Sequence, residues 1–279
     1  MMKPKDWNMN RKLVEQSVNG ICMRALIAGS GPPLLLVHGF PLSHQMWLPQ
    51  IEHFQSSYTV IAPDLRGFRD SDISPGIVTM EQHARDLNVL LQDLKIEDPV
   101  SYCGLSMGGY IAWEFWKHFP DRLHALILCD TRADADSEED VNNRLKMADL
   151  VLRHGPEAIS TAMIPNLISE SSQQNQPHIS EHLISMIEAT DSEGIAASQK
   201  GMAARSDFSD LIKDIHIPTL FIVGKEDRLT PPAVMQQMST QVLESKYFEV
   251  SDAGHMAPME APDLVNQAID DFLSTRLNS

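Results

Sequence analysis

Basic residues are scarce in this chain. Only 22 lysines and arginines stand against 38 aspartates and glutamates, a formal net charge of −16 at pH 7. A surface that acidic lacks the basic patch that grips nucleic acid or an anionic membrane, so neither partner is expected. Cysteine is scarcer still. Cys22, Cys103 and Cys129 are an odd number, poor material for a disulfide framework, and Cys103 and Cys129 fall within apolar runs. All three read as buried thiols in a reducing compartment. The sequence has no C-x-x-C and no Cys/His spacing of a zinc site, so neither metal nor cofactor is expected. The segment Met1-Met2-Lys3-Pro4-Lys5-Asp6-Trp7 carries charge but not the apolar stretch of a signal peptide. No run approaches the roughly 18 apolar residues of a membrane span. Internal repeats and low-complexity tracts are missing too. The expectation from these absences is a cytoplasmic protein acting without membrane or nucleic acid.

What remains is an ordinary globular composition, 43% hydrophobic over 279 residues, enough for one large α/β domain or a domain with an insertion. Apolar runs alternate with helical patterns in the first half. Leu34–Val37, Tyr58–Ala62, Val100–Cys103 and Leu126–Cys129 read as strands, and Glu81–Leu94 has helical spacing with Ala84, Leu87, Leu90, Leu91 and Leu94 on one side. Near-continuous apolar strands separated by helices predict a mostly parallel central sheet covered on both faces, with an antiparallel pair around Val18–Ile27 at its edge. The alternation stops at Thr131. Residues 131–210 open with the acidic patch Asp134, Asp136, Glu138, Glu139 and Asp140 and continue as helical patterns broken at Pro156, Pro165 and Pro177. The polar stretch Ser169–Pro177 reads as an exposed loop. The sheet pattern resumes at Thr219–Val223, followed by a helix near Pro232–Met238, a strand at Lys246–Val250 and a closing helix near Pro262–Thr275. The predicted organisation is a core of residues 1–130 and 211–279 with a helical lid inserted at 131–210.

The chemistry centres on Gly104-Leu105-Ser106-Met107-Gly108, a G-x-S-x-G pentapeptide between a predicted strand and a predicted helix. That context makes a serine a nucleophile, since the small residues permit a tight strand-to-helix turn with the hydroxyl exposed at the top of the sheet. A serine hydroxyl needs a general base, and the base needs an acid to fix its tautomer. Seven histidines follow Ser106. His255 alone lies in a small-residue loop, Ser251-Asp252-Ala253-Gly254-His255, between the last strand and the last helix. Asp227 follows the strand Phe221-Ile222-Val223, 121 residues after Ser106, and is the leading acid; Glu226 beside it and Asp130 at the end of the preceding strand are rivals. Two backbone N–H groups must face the oxyanion, and the expected donors are Met107, next to the nucleophile, and Phe40, in the loop His38-Gly39-Phe40-Pro41. His38 reads as a brace for that loop, and Asp64 and Arg66 as turn-pinning groups. Trp47, Met147, Met163 and Met186 are candidate substrate contacts, each weighed against plain core packing.

His38-Gly39-Phe40-Pro41, Asp64-Leu65-Arg66-Gly67, Gly104-Leu105-Ser106-Met107-Gly108-Gly109, Gly224-Lys225-Glu226-Asp227 and Gly254-His255 together resemble the α/β-hydrolase superfamily from about residue 15 to 275. Within it the chain is similar to 3-oxoadipate enol-lactonase-like esterases and to cofactor-free haloperoxidases and perhydrolases. The resemblance implies a serine hydrolase of small carboxylic esters or lactones, with a Ser106–His255–Asp227 triad and an acyl-enzyme. Dehalogenases and epoxide hydrolases attack with an aspartate, where this chain has Ser106. Acyl transfer to peroxide, carbon–carbon bond hydrolysis and a non-catalytic hydrolase-fold receptor are the alternatives. Phe40-Pro41-Leu42 departs from the glycine-rich loop of the carbon–carbon hydrolases.

Overall fold

The computed structural model describes residues 11–274; the charged N-terminal heptapeptide lies outside them. The chain runs β1 (Arg11–Val18), β2 (Ile21–Ala28), β3 (Pro33–Val37), α1 (Leu48–Phe54), β4 (Thr59–Pro63), α2 (Met80–Asp93), β5 (Val100–Leu105), α3 (Met107–His118) and β6 (Leu123–Cys129). Five helices follow: α4 (Glu138–His154), α5 (Pro156–Leu167), α6 (Glu170–Asn175), α7 (Pro177–Glu188) and α8 (Ser192–Ala203). The sheet resumes with β7 (Thr219–Gly224), α9 (Pro232–Gln241), β8 (Ser245–Val250), α10 (Ala257–Glu260) and α11 (Pro262–Ser274).

The eight strands form one sheet in the order β1-β2-β4-β3-β5-β6-β7-β8, antiparallel at β1-β2-β4 and parallel from there on. Strand composition follows burial. β3, β5 and β7 are buried at every residue because helices cover both faces, so their sequences are runs rather than alternations. β1 and β8, at the two edges, are largely half-exposed and carry charged residues. α2 turns Ala84, Leu87, Leu90 and Leu91 inward and starts at Thr79, whose hydroxyl accepts the Gln82 N–H.

Register places the chemistry. Val37 pairs with Gly104 and Leu105 with Cys129, so β3, β5 and β6 end at one level. Gly224 pairs with Val250, and β7 and β8 end together beside them. The loops holding Phe40, Ser106, Asp130, Asp227 and His255 therefore emerge along one carboxyl edge, the edge at which open α/β sheets bind their ligands.

The region between β6 and β7 contains no strand among the described residues, as its sequence predicts. Two details differ. The polar stretch expected to be a loop contains α6, because Ser169 caps it by accepting the Ser172 N–H and Ser172 is buried beneath it. Pro165 does not break its helix. It sits in the last turn of α5, where the missing N–H removes one bond near the helix end. Pro156 and Pro177 do stand at helix starts, where an N–H would have no partner anyway. The acidic opening is also no simple patch. Glu138, Glu139 and Asp140 occupy the first turn of α4, stabilised by the helix dipole and the Ser137 cap, while Asp136 is buried between arginines.

Candidate active site

Ser106 closes β5 and opens α3 with φ 53° and ψ −110°, a conformation that a side-chain-bearing residue rarely adopts. The strain at this turn rests on the serine itself. Three hydrogen bonds hold it: the Ser106 N–H donates to the Cys129 carbonyl at 2.9 Å, the Thr131 hydroxyl to the Ser106 carbonyl at 2.8 Å, and Tyr102 to the Gly108 carbonyl at 2.8 Å. Gly108 serves by close approach, since a Cβ there would stand 2.4 Å from the Val37 carbonyl oxygen. Gly39 does the same on the facing loop, where a Cβ would meet Leu105 Cδ2 at 2.6 Å and Ser106 Cβ at 3.5 Å. The loop after β3 is thus pressed against the nucleophile. The N–H groups of Phe40 and Met107, the expected oxyanion donors, make no hydrogen bond to another group among the described residues.

Asp227 and His255 are brought together as their spacing predicts. Asp227 Oδ2 lies 2.8 Å from His255 Nδ1, both residues almost wholly buried. The acid is held by more than its histidine. Thr230 donates its hydroxyl to Oδ2 at 2.5 Å, and the Leu229 and Thr230 N–H groups donate to Oδ1 at 2.8 and 3.0 Å. Burial pushes the Asp227 carboxyl up, but His255 and the Thr230 donors outweigh it and hold the group below the ordinary carboxylate value. Ser106 and His255 border the same cavity without a hydrogen bond between them among the described residues. Catalytic contacts in ligand-free sites are often loose and tighten with substrate.

Asp130, a rival acid, is buried behind the pair. It accepts the Gly224 N–H at 2.8 Å through Oδ1, while Oδ2 has no hydrogen-bond partner. Burial first, then the neighbouring Asp227, raises its carboxyl well above the ordinary value, which disfavours its charged form. Glu226 is exposed in the same turn as Asp227. Asp130, Asp227 and His255 also lie close enough to share a cation, but two of the three are already engaged with each other.

His38 is fully buried. Its Nε2 accepts the Leu65 N–H at 3.0 Å and its Nδ1 faces the Gly39 carbonyl at 2.8 Å, so it braces the Phe40 loop. Burial pushes its pKa down to about 4.

The cavity above Ser106 encloses about 340 Å³. Met147 of α4 and Met163 of α5 line it, as does Phe40. Trp47 and Met186 do not. Trp47 is wholly buried in the core beneath the Phe40 loop, and Met186 faces inward from α7, so both pack rather than border the cavity. Much of the wall is polar: Tyr110, Arg132, Asp136, Asp140, Asn143, Arg144 and Gln199. Asp136 is clamped by Arg144 and by Arg205, whose Nη1 lies 2.5 Å from Oδ1, and Arg205 stacks over the Tyr110 ring at 4.4 Å. Arg144 Nη1 also reaches Gln199 Oε1 at 3.3 Å. Sequence reasoning found none of this wall, because the arginines that compensate Asp136 come from α4 and from beyond α8. It also missed Glu260, whose carboxylate accepts the N–H groups of Gly254, Met256 and Ser169 at 2.9, 3.2 and 2.8 Å. Glu260 thereby shapes the His255 loop and ties it to the start of α6. Its position five residues past His255 is the only signal the sequence offers.

Among known proteins, the chain is similar to the malate-bound thermophilic esterase of Thermogutta terrifontis, with TM-score 0.92 and 42% identity over 95% of this chain and 98% of that one. The enol-lactonase of Burkholderia xenovorans LB400 superposes with TM-score 0.87 at 27% identity, covering 94% of this chain and all of that one. The 3-oxoadipate enol-lactonase 2 of Acinetobacter baylyi is 29% identical over 86% of this chain and 87% of its own length. Residues 32–262 match the family model of the alpha/beta hydrolase fold, with the sheet, the serine turn and the ordered Ser–Asp–His loops described above, and the chain belongs to that family.

Proposed function

We propose that the protein is a serine hydrolase that cleaves small carboxylic esters and lactones through an acyl-enzyme. The observation that carries this reading is His255, held 2.8 Å from Asp227 and bordering the same cavity as a serine in a strained turn. Ser106 Oγ attacks the substrate carbonyl while His255 takes its proton, and the Phe40 and Met107 N–H groups hold the oxyanion. The tetrahedral intermediate collapses as His255 returns the proton to the leaving alkoxide, which departs as alcohol or, in a lactone, stays tethered. Water then gives a proton to His255 and attacks the acyl carbonyl, and Ser106 leaves with that proton. Asp227 holds the imidazole in the tautomer that presents Nε2 to the serine and stabilises the imidazolium.

The insertion of α4–α8 acts as a lid, since Met147, Arg144 and Met163 from it form the cavity roof over Ser106. The polar wall supports a substrate that carries a carboxylate. Two guanidinium groups, Arg132 and Arg144, border the cavity, and the Thermogutta terrifontis esterase was solved with malate bound. Phe40, Met147, Met163, Leu167, Met202 and Leu229 supply apolar surface in the same cavity, which suits a short hydrocarbon segment between that carboxylate and the scissile carbonyl.

The test is a panel of p-nitrophenyl esters and lactones, with and without peroxide, run on the wild type and on Ser106→Ala. Loss of turnover in the variant, together with loss of covalent labelling by a phosphonate probe, is the expected result. Full activity in Ser106→Ala overturns the reading.

A further inference from the structure

The far end of α3, three turns from Ser106, gathers metal-ligating side chains that the hydrolytic site does not use. Glu114 and His118 are four residues apart on α3 and so share a face. Glu81, in the first turn of α2, meets them there. One ligand atom from each residue lies within 4.8 Å of the other two. His118 Nε2 is 3.4 Å from Glu114 Oε2 and 3.7 Å from Glu81 Oε1.

Glu114 is only 4% exposed, and its Oε2 has no hydrogen-bond partner among the described residues. The same holds for His118 Nε2, which faces it. A direct N–H···O hydrogen bond would draw the two atoms to about 2.9 Å. Ligand atoms bound at about 2.0–2.1 Å around a tetrahedral zinc ion stand about 3.3 Å apart, and the two separations from His118 Nε2 are within a few tenths of that. Both carboxylates also meet a cation, and the Glu81 oxygen held by Arg85 is the one 3.7 Å from His118 Nε2. Lys117 Nζ is 3.6 Å from Glu114 Oε2 on a half-exposed stem, and Arg85 grips Glu81 Oε1 at 2.7 and 2.9 Å, fixing that carboxylate from outside. Such outer partners orient a ligating carboxylate.

We propose that Glu81, Glu114 and His118 form a divalent transition-metal site of the zinc class that clamps α2 to α3, with water completing the coordination. An imidazole with two carboxylates suits zinc and disfavours calcium or magnesium, which take oxygen donors alone. Because α3 begins at the serine turn, the ion anchors the far end of the helix on which the nucleophile is mounted. Its effect is on stability, not on the chemical step. A sequence search for Cys/His spacing misses this site, since only the packing of α2 on α3 supplies the third ligand.

The experiment uses the full chain, stripped with EDTA and titrated with zinc chloride by calorimetry and in thermal scans, with cobalt(II) as an absorbing substitute. The expected result is one saturable zinc site at micromolar concentration, a melting temperature raised by several degrees, and a cobalt spectrum of low coordination number. His118→Ala and Glu81→Gln, both at partly exposed positions, should weaken binding by at least about tenfold and remove the thermal shift, with ester turnover in the absence of metal unchanged. His255→Ala should leave zinc binding intact. Binding only at millimolar zinc overturns the proposal. So does a site that survives His118→Ala and disappears in His255→Ala, which would assign the ion to the Asp130–Asp227–His255 cluster.

Discussion

Asp227 has four hydrogen-bond partners in the protein's interior, and every one comes from its own turn or from His255. Replacing it by Asn keeps the shape but presents an amide N–H where the imidazole needs an acceptor, so kcat should fall by about 10³–10⁴ with little change in KM. The rival acid makes the opposite prediction. Burial disfavours the charge on Asp130, which uses one oxygen for the Gly224 N–H, a bond the Asn carbonyl also accepts. Asp130→Asn should therefore keep kcat within a few-fold of wild type, and a loss comparable to that of Asp227→Asn would transfer the role of acid to Asp130. Thr230→Val removes a single hydroxyl donor to Asp227, and the loss of one charge-assisted bond predicts a drop in kcat of about 10-fold. Steady-state kinetics on one chromogenic ester measure all three. Ser106, Asp227 and His255 were legible from the sequence because the chemistry demands those residue types at the ends of successive strands. Thr230 and Glu260 were not, because a hydrogen-bond partner is chosen by loop geometry, and any Ser, Thr, Asp or Glu nearby would have looked as plausible.

The elements divide in the same way. Strands β3, β5, β6 and β7 could be read directly, since a strand buried on both faces has no choice but to be an apolar run. The helices between β6 and β7 could be recognised as helices, but what they present to the cavity could not. A half-buried methionine on an amphipathic helix has the same spacing whether it faces a substrate or a neighbouring helix; Met147 and Met163 face the cavity, and Met186 faces the core. Arg144 shows the consequence most clearly. Burial works against its charge, but Tyr110 and Asp136 outweigh that cost and keep the guanidinium charged at the cavity wall. Arg144→Gln should leave turnover of an unsubstituted butyrate ester nearly unchanged while lowering kcat/KM for the corresponding hemisuccinate ester by about 10-fold or more, the loss of a charge-assisted contact. The ratio of the two constants is the readout. An equal fall for both esters would mean that Arg144 holds α4 in place and does not recognise a carboxylate.

At the scale of the whole molecule, the arrangement that positions the site also makes the protein sensitive to acid. His38 braces the Phe40 loop as a neutral imidazole with its pKa pushed down to about 4, and His83 lies beside it, pushed by burial to about 3 with neither ring nitrogen hydrogen-bonded. Below pH 6.5 the unfolded chain protonates both and the folded chain protonates neither, so each subtracts stability as the pH falls from 6.5 towards its folded value. Half-buried His182 is shifted the same way. Asp130 acts with the opposite sign. Its folded carboxyl keeps a proton that the unfolded chain loses above about 3.8, so it favours the folded state as the pH falls. Between pH 5 and 6 His38 and His83 leave the unfolded state richer in protons than the folded one, which predicts a stability that falls on acidification, with Asp130 opposing part of that fall. His83→Leu removes one of the two histidine contributions without breaking a hydrogen bond. It should flatten that fall and leave stability at pH 7 equal or higher, because an unpartnered buried imidazole is exchanged for an apolar group of similar size. Asp130→Asn removes the opposing contribution, and its slope should be steeper than that of wild type. Urea midpoints measured at pH 5.0, 5.5 and 6.0 give all three slopes. A wild-type slope unaffected by either substitution would place the acid sensitivity outside this buried cluster.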